Sequence, residues 1–217
     1  MCDSNKALYR LRRDAMHGEC NAQYELARYY EEADTEQAVF WFRKAALANH
    51  EPAKEKCREV GIVLEPAEPK KSDLRCRIFP TGSLTDYVFV VVCSYFKGKW
   101  ILSRHAERDT WETQGGHIEE GETPLKAAVR ELYEESGISD ADVRYICDYW
   151  GFNARGSSNG AVFFADVHRI GEMPESEMSE IGIFETLPEE LTYPGVTPVL
   201  IREADQYRRE HQSDATE

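Results

Sequence analysis

Three glutamates, Glu131, Glu134 and Glu135, stand at positions i, i+3 and i+4 of the run "RELYEES". On a helix that spacing puts three carboxylates on neighbouring positions, where like charges repel. Arg130 and Lys126 are the nearby bases, too few to cancel the cluster. A hard divalent cation removes the repulsion, because Mg²⁺ prefers carboxylate and water oxygens and binds them together with substrate phosphates. The backbone carbonyl of Gly115 or Gly116 can add a ligand, since glycine permits close approach of the main chain.

The residues around these acids predict the element that carries them. Thr123 followed by Pro124 is a helix N-cap with proline at the first helical position. Leu125, Ala128, Val129 and Leu132 form an apolar stripe, and Gly137 can close the helix in the left-handed conformation. Residues 124–136 therefore read as an amphipathic helix entered through a glycine-rich loop. An acidic helix face is ordinarily solvated surface. Here the wider spacing argues otherwise.

The pattern G-x5-E-x7-R-E-U-x-E-E-x-G-U, with U aliphatic, is met at nine fixed positions over 23 residues: Gly116, Glu122, Arg130, Glu131, Leu132, Glu134, Glu135, Gly137 and Ile138. The segment resembles the Nudix box, and the resemblance extends over roughly residues 74–207. It implies an α/β fold, an α/β/α sandwich with a mixed sheet. It also implies Mg²⁺- or Mn²⁺-dependent hydrolysis of a nucleoside diphosphate linked to a group X. Glu131, Glu134 and Glu135 would be the metal-binding carboxylates, Glu131 also a general base, and Gly115 a carbonyl ligand. Arg130 would pair with Glu122 to orient loop and helix. Glu177 and Glu180 are the downstream acids that could complete the metal set or act as base. Arg104, after a strand ahead of the box, would bind phosphate with its planar fork. Trp150 and Phe152, with Tyr149 and Trp111, are the aromatics that could stack a base. Cations bridging the pyrophosphate would stabilise the leaving charge, while a positioned carboxylate prepares the attacking water.

The box does not name X. Markers of ADP-ribose, NADH and coenzyme A hydrolysis are missing, with Ala154 near the place of the first. "WETQGGHIEEGE" is most similar to members acting on (deoxy)nucleoside triphosphates or modified nucleotides. Gln114, where most of those carry proline, points instead to dinucleotide polyphosphates or triphosphorylated RNA ends. A nucleotide sugar, or a non-catalytic nucleotide-binding regulator, completes the alternatives.

A net charge of −14, nearly all of it beyond residue 71, disfavours duplex DNA and leaves a polyphosphate in need of a cation. The longest apolar run, Val88 to Cys93, is far short of the roughly 20 residues of a membrane span. No secretory signal is visible at the N-terminus. Six scattered cysteines without a C-x-x-C fit buried thiols in a reducing, cytoplasmic setting.

Residues 6–60 read as helices, with Ala22, Leu26, Tyr29 and Tyr30, then Ala38, Trp41, Phe42, Ala45 and Ala46, at helical spacing. Ala15, Gly18 and Ala22 recur 31 residues on as Ala46, Asn49 and Ala53. This stretch resembles Sel1-like, tetratricopeptide-related repeats, over about one and a half units. It implies a small all-α helical repeat domain that leans on its neighbour or offers a surface to a protein partner or a second copy. The expected organisation is a repeat segment over 1–62, a linker over 63–73, the hydrolase domain over 74–207 and a frayed tail over 208–217. Within the third part, 86–95 and 99–104 read as a hairpin about Lys97-Gly98, 142–152 and 160–167 as further strands, and 195–210 as a last helix.

Overall fold

The helical spacing of the first sixty residues is realised as α1 (Cys2–Met16), α2 (Cys20–Tyr30), α3 (Thr35–Leu47) and α4 (Glu51–Glu59) in the computed structural model, which describes residues 2–64 and 70–212. The sequence echo is a repeated turn. In its first copy Gly18 takes φ +93°, and Gly18 N and Glu19 N donate to the carbonyls of Ala15 and Asp14. In the second Asn49 takes φ +64°, and Asn49 N and His50 N donate to Ala46 and Ala45. Left-handed backbone suits glycine, and asparagine tolerates it among the best of the others. Ala15, Leu26, Ala27, Ala38, Ala45, Ala46 and Ala53 are buried between the helices, so small residues let the axes approach.

The chain divides into two compact units, Met1–Glu68 and Pro69–Glu217. The second opens with a short 3-10 turn, Lys71–Asp73. It then builds one eight-stranded mixed sheet from β1 (Arg75–Phe79), β2 (Tyr87–Phe96), β3 (Lys99–His105), β4 (Trp111–Glu112), β5 (Gln114–His117), β6 (Asp140–Phe152), β7 (Ser157–Arg169) and β8 (Met178–Phe184). The order runs β1-β6-β7-β2-β3-β4, with β5 on β2 and β8 on β3. Among the described strands β2 and β7 pair in parallel and the other named pairs are antiparallel.

Two helices cover this sheet. α5 (Pro124–Ser136) presents Ala127, Ala128 and Leu132 to Val90, Val92, Ile101, Ala161, Phe163 and Ala165. α6 (Thr197–Gln212) presents Leu200, Ile201 and Ala204 to Cys93, Trp100, Cys147, Tyr149, Val162 and Phe164 on the other face. The result is a sandwich with a core on each side of the sheet. A strand buried on both faces reads as an unbroken apolar run, which is why the central "VVVC" and "GAVFFA" show no alternation. The β2–β3 turn has Lys97 at φ +48° and Gly98 at φ +89°, the two positive φ values of a tight hairpin turn. Cys57, Cys76, Cys93 and Cys147 are buried free thiols, and burial pushes Cys76 and Cys147 up to about 12. No helix among the described residues is long and apolar enough to cross a membrane.

Candidate active site

α5 begins where the side chain of Thr123 accepts from Lys126 N and ends at Gly137 with φ +70°. Its rotation differs from the expected one. Leu125 and Val129 are 50% and 46% exposed, and with Tyr133 they line the outer side. The inner side is Ala127, Ala128, Leu132, Glu135 and Ser136. Spacing at i and i+4 marked an apolar row but not which of two adjacent rows the sheet would take. The sheet takes the row that carries Glu135 inward, and Ser103 Oγ fixes it by donating to the Glu135 carbonyl at 2.8 Å.

Glu135 is 7% exposed, and its only hydrogen-bond donor among the described residues is Gly115 N, at 2.8 Å. Burial pushes its carboxyl up to about 9; Glu131, Glu112 and Glu177 add to the rise, and the Gly115 amide opposes it. Glu131 lies directly against Gly116, where a Cβ would collide with its carboxylate, so this glycine allows the close approach. Burial raises Glu131 as well, against the pull of Arg130. Arg130 is the hub of the helix. It donates to both oxygens of Glu122 (3.1 and 3.0 Å), to Glu131 (2.8 Å), to Glu134 (3.1 Å) and to the His117 carbonyl (3.0 Å). Glu122 first, then Glu131 and Glu134, hold its guanidinium firmly protonated.

Further charged groups converge on Glu135 from distant parts of the chain. Glu112 on β4, its side chain 8% exposed, takes Arg108 Nη1 at 2.9 and 3.2 Å. His105 at the end of β3 accepts Glu107 N on Nδ1 (3.1 Å), so the proton sits on Nε2, which faces Glu177 Oε2 at 3.3 Å. Tyr193, just ahead of α6, is raised by burial and feels Glu112, Arg108, Glu135 and Glu177. The ammonium of Lys71 lies 5.5 Å from the centre of the Tyr193 ring. Neither Arg108, Glu112, Tyr193 nor Lys71 belongs to the sequence pattern. The acidic residue two positions ahead of the Gln-Gly-Gly run was a readable signal for Glu112. The others needed the fold.

The residues singled out from sequence fall into separate groups. Glu131 and Glu135 lie one turn apart on α5, Glu135 on the Gly115 amide, with Glu134 beside them at 49% side-chain exposure; Glu177 sits on His105 and is felt by Glu135. Arg104 and Glu180 are elsewhere. They pair with each other across β3 and β8, and the Arg104 guanidinium lies 5.3 Å over the Trp111 ring, which meets Phe184 edge to face. Trp150 and Phe152 are 1% and 4% exposed and stack on each other at 4.3 Å, with Arg77 over Phe152. Tyr149 lies in the core under α6. Gln114 is fully buried, accepting from Ser94 and donating to Ser103. That bridge ties β2 to β3, a structural use for the glutamine.

The donor set fits a hard divalent ion: carboxylate oxygens on one helix, a neighbouring glycine-rich strand, and a buried carboxylate with a single donor, which is costly to ionise without a cation beside it. Among the described residues no group of three or more His, Cys, Asp or Glu side chains shares one point. Arg130 stands between Glu131 and Glu134 as their common cation.

A domain model described as the NUDIX domain matches residues 84–200. The putative 8-oxo-dGTP diphosphatase YtkD of Bacillus subtilis is 31% identical over 103 residues, 47% of this chain and 64% of that protein. An RNA pyrophosphohydrolase of Mannheimia succiniciproducens is 39% identical over 59 residues, 27% of this chain and 29% of that protein. The match therefore spans less than two thirds of the length of either relative. A crystal structure of a Bacillus subtilis pyrophosphohydrolase, 25% identical, superposes with a TM-score of 0.53 over 61% of this chain and 90% of its own.

Proposed function

Because this chain belongs to the NUDIX family, we propose that it is a divalent-metal-dependent pyrophosphohydrolase of a (deoxy)nucleoside triphosphate or a modified nucleotide. The observation that carries the reading is Glu135, buried on the Gly115 amide one turn from Glu131, which is seated on Gly116. Glu131, Glu134, Glu135 and the Gly115 carbonyl would hold Mg²⁺ or Mn²⁺, with Glu177 completing the set or acting as base. When bound, the ion supplies charge neutralisation on the phosphates and a more acidic water.

The chain's own residues supply the rest. Arg130 fixes Glu131 and Glu134 and keeps the loop at Glu122 and His117 in register with the helix. Glu131, half-buried and raised, is suited to accept a proton from water. His105 donates from Nε2 to Glu177, orienting that carboxylate. The B. subtilis relative's name favours a nucleoside triphosphate. A net charge of −14 favours a free nucleotide over an RNA end. For the N-terminal unit, the repeated turn supports Sel1-like repeats that offer a surface to a protein partner or a second copy.

The test is a screen of nucleoside triphosphates, oxidised nucleotides, dinucleotide polyphosphates, nucleotide sugars and a 5′-triphosphorylated RNA, with Mg²⁺ and with Mn²⁺, products identified by mass. The expected result is a nucleoside monophosphate and pyrophosphate, or phosphate and the diphosphate, only when metal is present. Turnover in excess chelator, or none with any substrate, would overturn the reading.

A further inference from the structure

Lys71 belongs to the stretch read from sequence as a linker, and it lies outside residues 84–200 of the family domain. Yet its backbone is fixed. Lys70 N donates to Asp73 Oδ2 at 2.9 Å, Leu74 N to the Lys71 carbonyl at 3.2 Å, and Arg75 Nη1 to the Ser72 carbonyl at 2.9 Å. Gly195 lets the next segment press against this turn, because a Cβ there would meet the Leu74 carbonyl and the Arg75 side chain. The turn thus delivers the Lys71 ammonium to the Tyr193 ring, 5.5 Å from its centre.

The surroundings of that ammonium are unusual for a surface lysine. Glu112, Glu177 and Arg108 all act on it. Glu112 is already engaged by Arg108, and Glu177 by His105. Among the described residues Lys71 itself makes no ion pair. Two cations from distant segments, Arg108 and Lys71, lie in the field of the same acids, and among the described residues only Arg108 is in contact with one of them. The three donors of the Lys71 ammonium are thus without a carboxylate in contact and can turn to an incoming anion. Arg104 is occupied on another part of the sheet by Glu180 and Trp111.

We infer that Lys71, seated on Tyr193 and paired with Arg108, is a substrate-binding cation of this site that grips a phosphate of the polyphosphate chain. The inference rests on the hydrolase reading for its substrate class, and it gives the short turn that opens the second unit a part in recognition. Lysine suits the task as a compact charge with three donors, and the ring holds it aimed without consuming a donor. Tyr193 is the positioning residue.

The experiment compares the full-length parent with Lys71→Ala, Lys71→Arg and Lys99→Ala, the last a lysine paired to Glu185, just past the end of β8. Calorimetry with inorganic tripolyphosphate and Ca²⁺, added in place of Mg²⁺ so that binding is read apart from turnover, reads affinity. Steady-state kinetics on the best triphosphate of the screen read KM and kcat separately. Lys71→Ala should weaken tripolyphosphate about tenfold and raise KM about tenfold at near-constant kcat. Lys71→Arg should stay within about twofold, and Lys99→Ala should match the parent. A parent that does not bind tripolyphosphate at millimolar concentration, or a Lys71→Ala protein that binds it equally well, overturns the inference. A parent that turns over no nucleotide overturns the hydrolase reading instead, and the calorimetry still decides the role of Lys71.

Discussion

Glu135 concentrates the chemistry of the site in one carboxyl group. Burial raises it to about 9 in the fold, while an unfolded chain has glutamate near ~4.3. The folded state therefore holds an extra proton between those values. That contribution to stability is complete below ~4.3 and is lost as pH rises through about 9. Metal-free protein should lose melting temperature, by more than ~4 °C, between pH 5 and pH 9. Glu135→Gln, which cannot ionise, should flatten that slope and lower kcat by ~10²–10⁴-fold. Thermal melts across pH and kinetics with Mg²⁺ check both halves. An unchanged slope in the variant would mean that Glu135 does not titrate there, and near-normal kcat would remove it from the reaction. Glu112 and Arg108 show the opposite situation. Their close pair leaves Glu112 buried with its counter-charge in contact.

At the level of elements, α5 was readable because its signals are local. Thr123, Pro124 and Gly137 act on their own backbone, and the structure keeps the helix at Pro124–Ser136. Gly137 has a second duty. Besides φ +70°, a Cβ at this position would run into the Glu172 carbonyl and come within 2.8 Å of Met173 N. Gly137→Ala should thus cost more than the ~1 kcal/mol of a left-handed alanine, about 2–3 kcal/mol in a urea titration. A loss under ~0.5 kcal/mol would show that the 170–173 segment simply moves aside. By contrast, β5 was not readable. "QGGH" has no strand propensity, and it becomes a strand because Phe89, Val90, Val91 and Val92 of β2 pair with it. β1 and β8 escaped for the same reason, their partners being remote in sequence, while β4 is only two residues long and pairs with nearby β3.

For the whole molecule, the two units set separate questions. The N-terminal helices repeat one turn at Gly18 and Asn49, and Tyr9, Tyr29, Leu47 and Val60 of that unit stay exposed. If this surface joins two copies, sedimentation should give a dimer for residues 1–217 and a monomer for 69–217. A monomer in both cases would leave only a different protein as partner. The mixed sheet with a helix on each face was implied by the resemblance that the box carries, and box spacing is a property of contiguous residues. The same holds for Glu131, Glu134 and Glu135, which one helix carries. What chain order could not determine was which residues far from the box close around it. Arg104, Trp150 and Phe152 had suitable chemistry, but folding put Arg104 against Glu180 and buried the two rings. Lys71, Arg108 and Tyr193 had no local signature; they come near Glu112 because the 190–195 segment is bonded to Trp111 of β4 and packs on Leu74 through Gly195. Charges separated by a hundred residues interact only when the backbone between them has folded, so that part of the site belongs to the tertiary structure alone.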